Sequence, residues 1–293
     1  MLRILCVSLW MIIPAICCMG QELYYFGANN RPLNTEEGAR FIQEVHKKSE
    51  KNFLLKKSVK SGRTWSEAIY QKITVIDEGK LRIRTRGKGI LQKRLFRQMI
   101  PAGKGMYAFE ETVNGILLRS GSTSRYLPLM LEGTVKEYHP NGMEKSVSIF
   151  QNNQLISNKN WLQDGSSYID SIYFSTDRAP IYRPGDKSFK NHLIKGIAEA
   201  KLDLDEYDDD VIIGWVVMET GQIEGVIALQ GKSNFLNQTL VDIIAETPGD
   251  WEPAYLDGNP VRYFMTIPIT ISHSGAKFQD LEFSMGMLHY NSY

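Results

Sequence analysis

The densest group of side chains able to hold a cation is Asp203, Asp205, Glu206, Asp208, Asp209 and Asp210. Asp203-x-Asp205 has the spacing of a calcium loop, but the turn glycine and the closing glutamate of an EF-hand are missing. The run reads as a solvated acidic loop, with divalent-ion binding as the alternative. Its counterpart is the basic run Lys80, Arg82, Arg84, Arg86, Lys88, Lys93, Arg94 and Arg97, whose first cations alternate with Leu81 and Ile83. That pattern suits the wet face of a strand, with an acidic surface as a second reading; no aromatics interleave, so nucleic acid is not expected as a partner. His46, His139, His192, His273 and His289 include no pair at helical ligand spacing, so no metal site is expected. There is no G-x-S-x-G elbow and no phosphate-binding loop, and Gly103-Lys104-Gly105 lacks the later glycine of a dinucleotide fingerprint. No catalytic residue and no cofactor are expected. An envelope hydrolase would need a nucleophile and a base that these motifs do not supply.

Binding through main-chain groups is the chemistry that remains, and its best carrier is the stretch Trp251 to Ile271. Val261, Tyr263, Met265, Ile267, Ile269 and Ile271 are apolar, while Arg262, Thr266 and Thr270 fall between them, so one face of a strand is buried. Phe264 breaks the alternation. Pro268 cannot donate a ladder bond, which predicts an edge strand with its outer groups free for a partner. Val261, Arg262, Tyr263, Phe264, Met265, Thr266 and Ile267 are the candidate partner-binding edge. Trp251 and Tyr255 stand beside it, and aromatics just before a final strand either stack on a ligand or close the core.

Phe189, Leu193 and Ile194 mark a helix, Val211 to Met218 a strand, Glu219-Thr220-Gly221-Gln222 a turn, and Ile223 the start of a second strand. Phe235, Leu236, Leu240, Ile243 and Ile244 mark another helix, with Asn234 as its expected N-cap, stopped by Pro248-Gly249. Trp251-Glu252-Pro253, Asp257-Gly258-Asn259-Pro260-Val261 and Ile267-Pro268-Ile269 follow. In this order the residues from Phe189 to Ile271 resemble the C-terminal domain of TonB and its Bacteroidetes-type relatives. The resemblance implies an α-β-β-α-β domain that recognises extended peptides of outer-membrane transporters by strand addition.

Upstream, Tyr138, Phe150 and Trp161 recur at close spacing, followed by the turn pairs Asn141-Gly142, Asn152-Asn153 and Asp164-Gly165. Such pairs tolerate the positive φ of tight hairpins, so they predict successive hairpins with the three aromatics on a common face. The segment resembles the bacterial MORN-type repeat; an ordinary meander is the alternative. From Phe53 to Arg125 the text alternates like antiparallel strands. Asn34 and Thr35 before Glu36 and Glu37 predict a helix N-terminus, with Ile42 and Val45 as its apolar stripe.

The fold class expected is therefore α+β: a MORN-like antiparallel hairpin array followed by a TonB-like α-β-β-α-β domain. The segments run 1–20 as signal peptide, 21–130 as helix plus antiparallel strands, 131–178 as hairpin repeats, 186–272 as the TonB-like domain and 273–293 as tail. Ala179 to Asp186 reads as a short linker, unlike the long proline-rich span of an energy transducer. Leu281, Phe283, Met285 and Met287 alternate once more in the tail.

The first twenty residues carry Arg3, an apolar run from Ile4 to Ile16 and Gly20 before Gln21, a pattern read as a cleaved export signal. An uncleaved anchor or a lipid-bearing Cys17 or Cys18 are the alternatives. Cys6, Cys17 and Cys18 all fall inside this segment, so the exported chain carries no thiol chemistry. Of 34 basic residues only Arg3 is removed with it, leaving 33 against 33 acidic ones and no global pull toward a polyanion. The function expected is a non-enzymatic periplasmic binding protein. Its partner is a protein or peptide, such as an outer-membrane transporter, an envelope complex or a second copy meeting it edge to edge. A membrane-anchored TonB-type transducer is the alternative.

Overall fold

The computed structural model describes residues 20–61, 63–87, 94–203, 206–247, 251–272, 275–278 and 282–283. Residues 1–19, Lys88, Lys93, Asp205, Pro248-Gly249, His273, His289, Leu281, Met285 and Met287 lie outside them.

Twelve strands form one antiparallel sheet. They are β1 (Gln21–Phe26), β2 (Pro32–Leu33), β3 (Phe41–Ser49), β4 (Asn52–Ser61), β5 (Thr64–Asp77), β6 (Lys80–Gly87), β7 (Arg94–Gly103), β8 (Met106–Val113), β9 (Ile116–Thr123), β10 (Leu131–Tyr138), β11 (Glu144–Gln151) and β12 (Gln154–Asn160). From β3 to β12 each strand pairs with the next in sequence, and β1 lies between β3 and β2. Tight turns make this possible: Asn152 and Asn153 both take positive φ, as a two-residue hairpin with right-twisted strands requires. Val45, Ile73, Leu81, Ile83, Met99 and Phe109 alternate onto the inner face and form its core.

The helix expected after Asn34-Thr35 is absent. Residues 34–38 turn, and Phe41 to Ser49 is β3, with Ile42 opposite Tyr25 on one side and Ser58 on the other. A capping sequence is a weak, local preference, and two flanking strands that complete the ladder outweigh it. No break occurs at residue 131 either: β10 bonds β9, so the hairpin segment is the last part of one sheet. Its turns fall where the Asn and Gly pairs stand, but the three aromatics do not share a face. Phe150 lies opposite Gly133, on the side of Val135, and joins the core; Tyr138 is an odd number of residues from Val135 and points the other way, its hydroxyl near Ser120.

Asparagine side chains join the ends of this sheet. The buried Asn29 donates to the Leu155 carbonyl at 2.8 Å and accepts the Leu155 amide at 3.3 Å, so one side-chain amide replaces a strand partner for β12. Asn153 donates to the Asn30 carbonyl at 3.0 Å and accepts the Leu131 amide at 3.0 Å. Asn158 repeats the device toward the next part of the chain, donating to the Ile172 carbonyl at 2.7 Å and accepting its amide at 3.1 Å.

The second part comprises β13 (Ile172–Tyr173), β14 (Ile181–Tyr182), α1 (Asp186–Glu199), β15 (Asp209–Val217), β16 (Ile223–Gln230), α2 (Asn234–Ala245), β17 (Trp251–Glu252), β18 (Ala254–Leu256), β19 (Asn259–Ser272), β20 (Gly275–Phe278) and β21 (Glu282–Phe283). The two α-helices and three longest strands of this part follow in the order α1-β15-β16-α2-β19. Its sheet runs β13-β19-β15-β16, with β18, β20 and β21 also on β19. Phe189, Leu193 and Ile197 of α1 and Leu236, Leu240 and Ile244 of α2 pack on Ile213, Trp215, Met265 and Ile267. Ser233, rather than Asn234, caps α2 by accepting the Leu236 amide. The expected linker is already part of this core: β14 pairs with β17, and Tyr182 stacks on Phe189 and Trp251. Gly221, at φ +83°, makes the turn from β15 to β16, and a Cβ there would lie 2.2 Å from the Trp251 carbonyl oxygen.

A cleft beside a free sheet edge

The proposed edge strand is not an edge. One side of β19 pairs with β15 from Tyr263 opposite Val217 to Ile271 opposite Asp209. On other sides Val261 meets Ala254, Arg262 and Tyr263 meet Ile172 and Tyr173 in parallel, Met265 and Thr266 meet Phe283 and Glu282, and Ile269 to Ser272 meet β20. Pro268 stands between the stretches bonded to β21 and β20, where the outer ladder lapses among the described residues. Arg262 donates to the Glu219 carboxylate at 3.0 Å and to the Asp170 carbonyl at 2.9 Å. Strands from before and after β19 in the sequence thus occupy the groups that a partner would need.

Both faces of β19 are buried as well. Tyr263, Met265, Ile267, Ile269 and Ile271 face the helices, as their alternation implies. Phe264 breaks the pattern because a second layer covers the opposite face, where it packs with Ile172 and Val216. Trp251 belongs to the core, 2% exposed, among Tyr182, Phe189 and Trp215. Tyr255 is half-buried with the Arg178 guanidinium 4.1 Å above its ring.

The free edge belongs to β16. Among the described residues β16 bonds β15 alone. At one end of this edge the Tyr168 hydroxyl donates to the Gly225 carbonyl, and burial pushes the Tyr168 phenol well above its ordinary value. Beyond that point Ile227, Ala228 and Leu229 form one wall of a cleft of about 310 Å³. Trp161, Leu162, Phe174 and Phe264 supply the apolar remainder, so the cleft lies where the end of the first sheet meets the second. His139 and Lys145 give its polar rim. Burial holds both below their ordinary pKa values; the Trp161 carbonyl, 2.9 Å from His139 Nε2, and the carboxylate of Glu137 beside Lys145 oppose that trend.

Two carboxylates of the acidic run have structural partners. Asp209 accepts the Lys232 amide at 2.6 Å and Asp210 accepts the Thr270 hydroxyl at 2.8 Å, which makes them strand anchors of β15. Among the described residues no three His, Cys, Asp or Glu side chains converge on a metal-sized site, and no helix is long and apolar enough to cross a membrane. Sequence reasoning missed the cleft because its walls come from four separated stretches. The strand from Ile223, the hairpin with Trp161 and the strand with Phe264 were each legible singly, but nothing local brings them together. Comparison with family models, curated proteins and solved structures yields no match.

Proposed function

We propose that this is a non-enzymatic binding protein that takes an extended segment of a peptide or protein as an added strand on β16. The observation that carries the reading is the unpaired outer side of β16, among the described residues, running along an apolar cleft. An edge amide and carbonyl row gives affinity with little sequence demand, and an adjacent pocket gives selectivity for alternate side chains. With Tyr168 closing the Gly225 end, the usable edge spans residues 226–230, about 17 Å of strand. The cleft selects an aromatic or branched apolar side chain on the incoming segment, because Trp161, Phe174, Leu229 and Phe264 surround it.

The finer architecture belongs to the same proposal: a MORN-like hairpin array leading into a TonB-like domain. The Asn-Gly turns and the order α1-β15-β16-α2-β19 support it. So does the proposed place of action, the periplasm, which rests on the apolar run before Gly20. An outer-membrane protein segment is the partner class that fits this location.

A photo-crosslinking amino acid at Ala228, exposed on β16, tests the reading in cells of the source organism. One discrete adduct from positions 228 and 230, absent from the exposed Lys195 on α1, is the expected result. No adduct from β16, or equal adducts from α1, rejects strand addition at this edge.

A further inference from the structure

Several cations among the described residues have partners. Arg97 and Arg119 share Glu111, Arg262 holds Glu219, Lys136 holds Glu144, and Arg178 and Arg125 lie over tyrosine rings. The outer face of β5, β6 and β7 gathers several cations side by side. There Lys72, Arg84 and Arg94 stand directly opposite one another across three strands, and Arg82 and Arg86 flank Arg84 on the same face. Among the described residues none of these five has a hydrogen-bond or ion-pair partner.

Directly opposed like charges destabilise a sheet, since cross-strand Cβ atoms lie only about 5 Å apart. A row of three therefore carries a repulsive cost. The row also borders a groove of about 230 Å³, whose walls include Lys48, Lys72, Arg82 and Arg84 together with Asn52 and Thr74. Guanidinium groups present paired donors that match the oxygens of a phosphate, and the neighbouring ammonium groups add charge without demanding one geometry.

We infer that this groove is a binding site for a compact, multiply charged phosphate-bearing ligand, separate from the β16 edge. The ligand would sit between Lys72 and Arg84, relieving their mutual repulsion, with Arg82 and Lys48 as further donors. The phosphate could be that of a soluble ester or of a lipid headgroup, and the chemistry of capture is the same.

Calorimetric titration with pyrophosphate tests the site directly. Wild-type protein should bind one equivalent saturably, and K72Q/R84Q should bind about a hundredfold more weakly or worse, the loss expected for two charge-assisted contacts. K195Q, which removes a cation from α1, should bind as wild type. Without ligand R84Q should melt at a higher temperature than wild type, because repulsion is relieved, so lost binding cannot be mistaken for lost folding. Co-sedimentation with phosphatidylglycerol vesicles forms the second arm: capture by vesicles that fails in K72Q/R84Q assigns the phosphate to lipid, and pyrophosphate binding without vesicle capture assigns it to a soluble ligand. No saturable binding in either arm, or equal binding by wild type and K72Q/R84Q, overturns the inference.

Discussion

Replacing Glu111 with glutamine should be among the most damaging single changes to the first sheet. Glu111 is fully buried on the inner face, with Arg97 Nη2 2.6 Å from one carboxylate oxygen and Arg119 Nε 3.0 Å from the other. Burial by itself would raise its carboxyl, but the two guanidiniums outweigh that and hold it below the usual carboxylate range. Glutamine keeps the volume and loses the charge, and its amide turns a donor toward one of the two guanidiniums. Two nearly buried cations then lose the counter-charge they share, a loss of about 3–5 kcal/mol. Urea unfolding of E111Q at neutral pH measures this, and E111Q/R119Q should be less than additive because the second change removes one stranded charge. The pH dependence follows from the sign of the shift. A depressed carboxyl contributes its full stability above the unfolded value near pH 4 and loses it as pH falls through the still lower folded value. E111Q should therefore lose less stability than wild type on acidification. A destabilisation under about 1 kcal/mol, or an unchanged acid limb, would refute a charge network as the organiser of this core.

Asn29→Ala removes both bonds to Leu155 and puts alanine at a positive φ, and should cost about 2–4 kcal/mol in urea unfolding. Gly221→Ala drives a Cβ into the Trp251 carbonyl in a left-handed turn, so soluble protein should fall sharply and any purified fraction should melt at a lower temperature. Trp161→Ala should weaken crosslinking from Ala228 while costing less stability than a buried tryptophan would, because this ring is only half-buried in the cleft wall.

Much of the second sheet was legible because its signals are periodic and local. The alternation from Val261 to Ile271 identified the helix-facing side of β19, and the apolar spacing at Leu236, Leu240 and Ile244 identified the helix above it. The edges of β19 were not legible, since they depend on Ile172, Tyr173 and the tail, which are far away or weakly patterned. Pro268 misled for the same reason: a missing donor marks a lapse in one ladder, and an outermost strand is only the commonest place for one. Phe264 was a sign of the second layer, visible as an exception and uninterpretable without the segment that covers it. Nothing local marked Asn29 or Asn158, each of which completes a peptide's bonding pattern on another strand. Around residue 36 a good cap sequence lost to pairing that no local window contains.

The Asn29 clamp joins positions 126 residues apart, so the sheet closes only after almost all of its length has been made. Extending a closed loop is thermodynamically mild, about 0.6 kcal/mol for each doubling, but it delays the contact. During synthesis β1 and its turn emerge long before their final neighbour does. Through that interval the newest strand of the growing meander exposes an unpaired edge to every other chain nearby. Correct assembly is then a race between the arrival of Leu155 and a misplaced pairing, and a chaperone that shields strand edges would act most in that window.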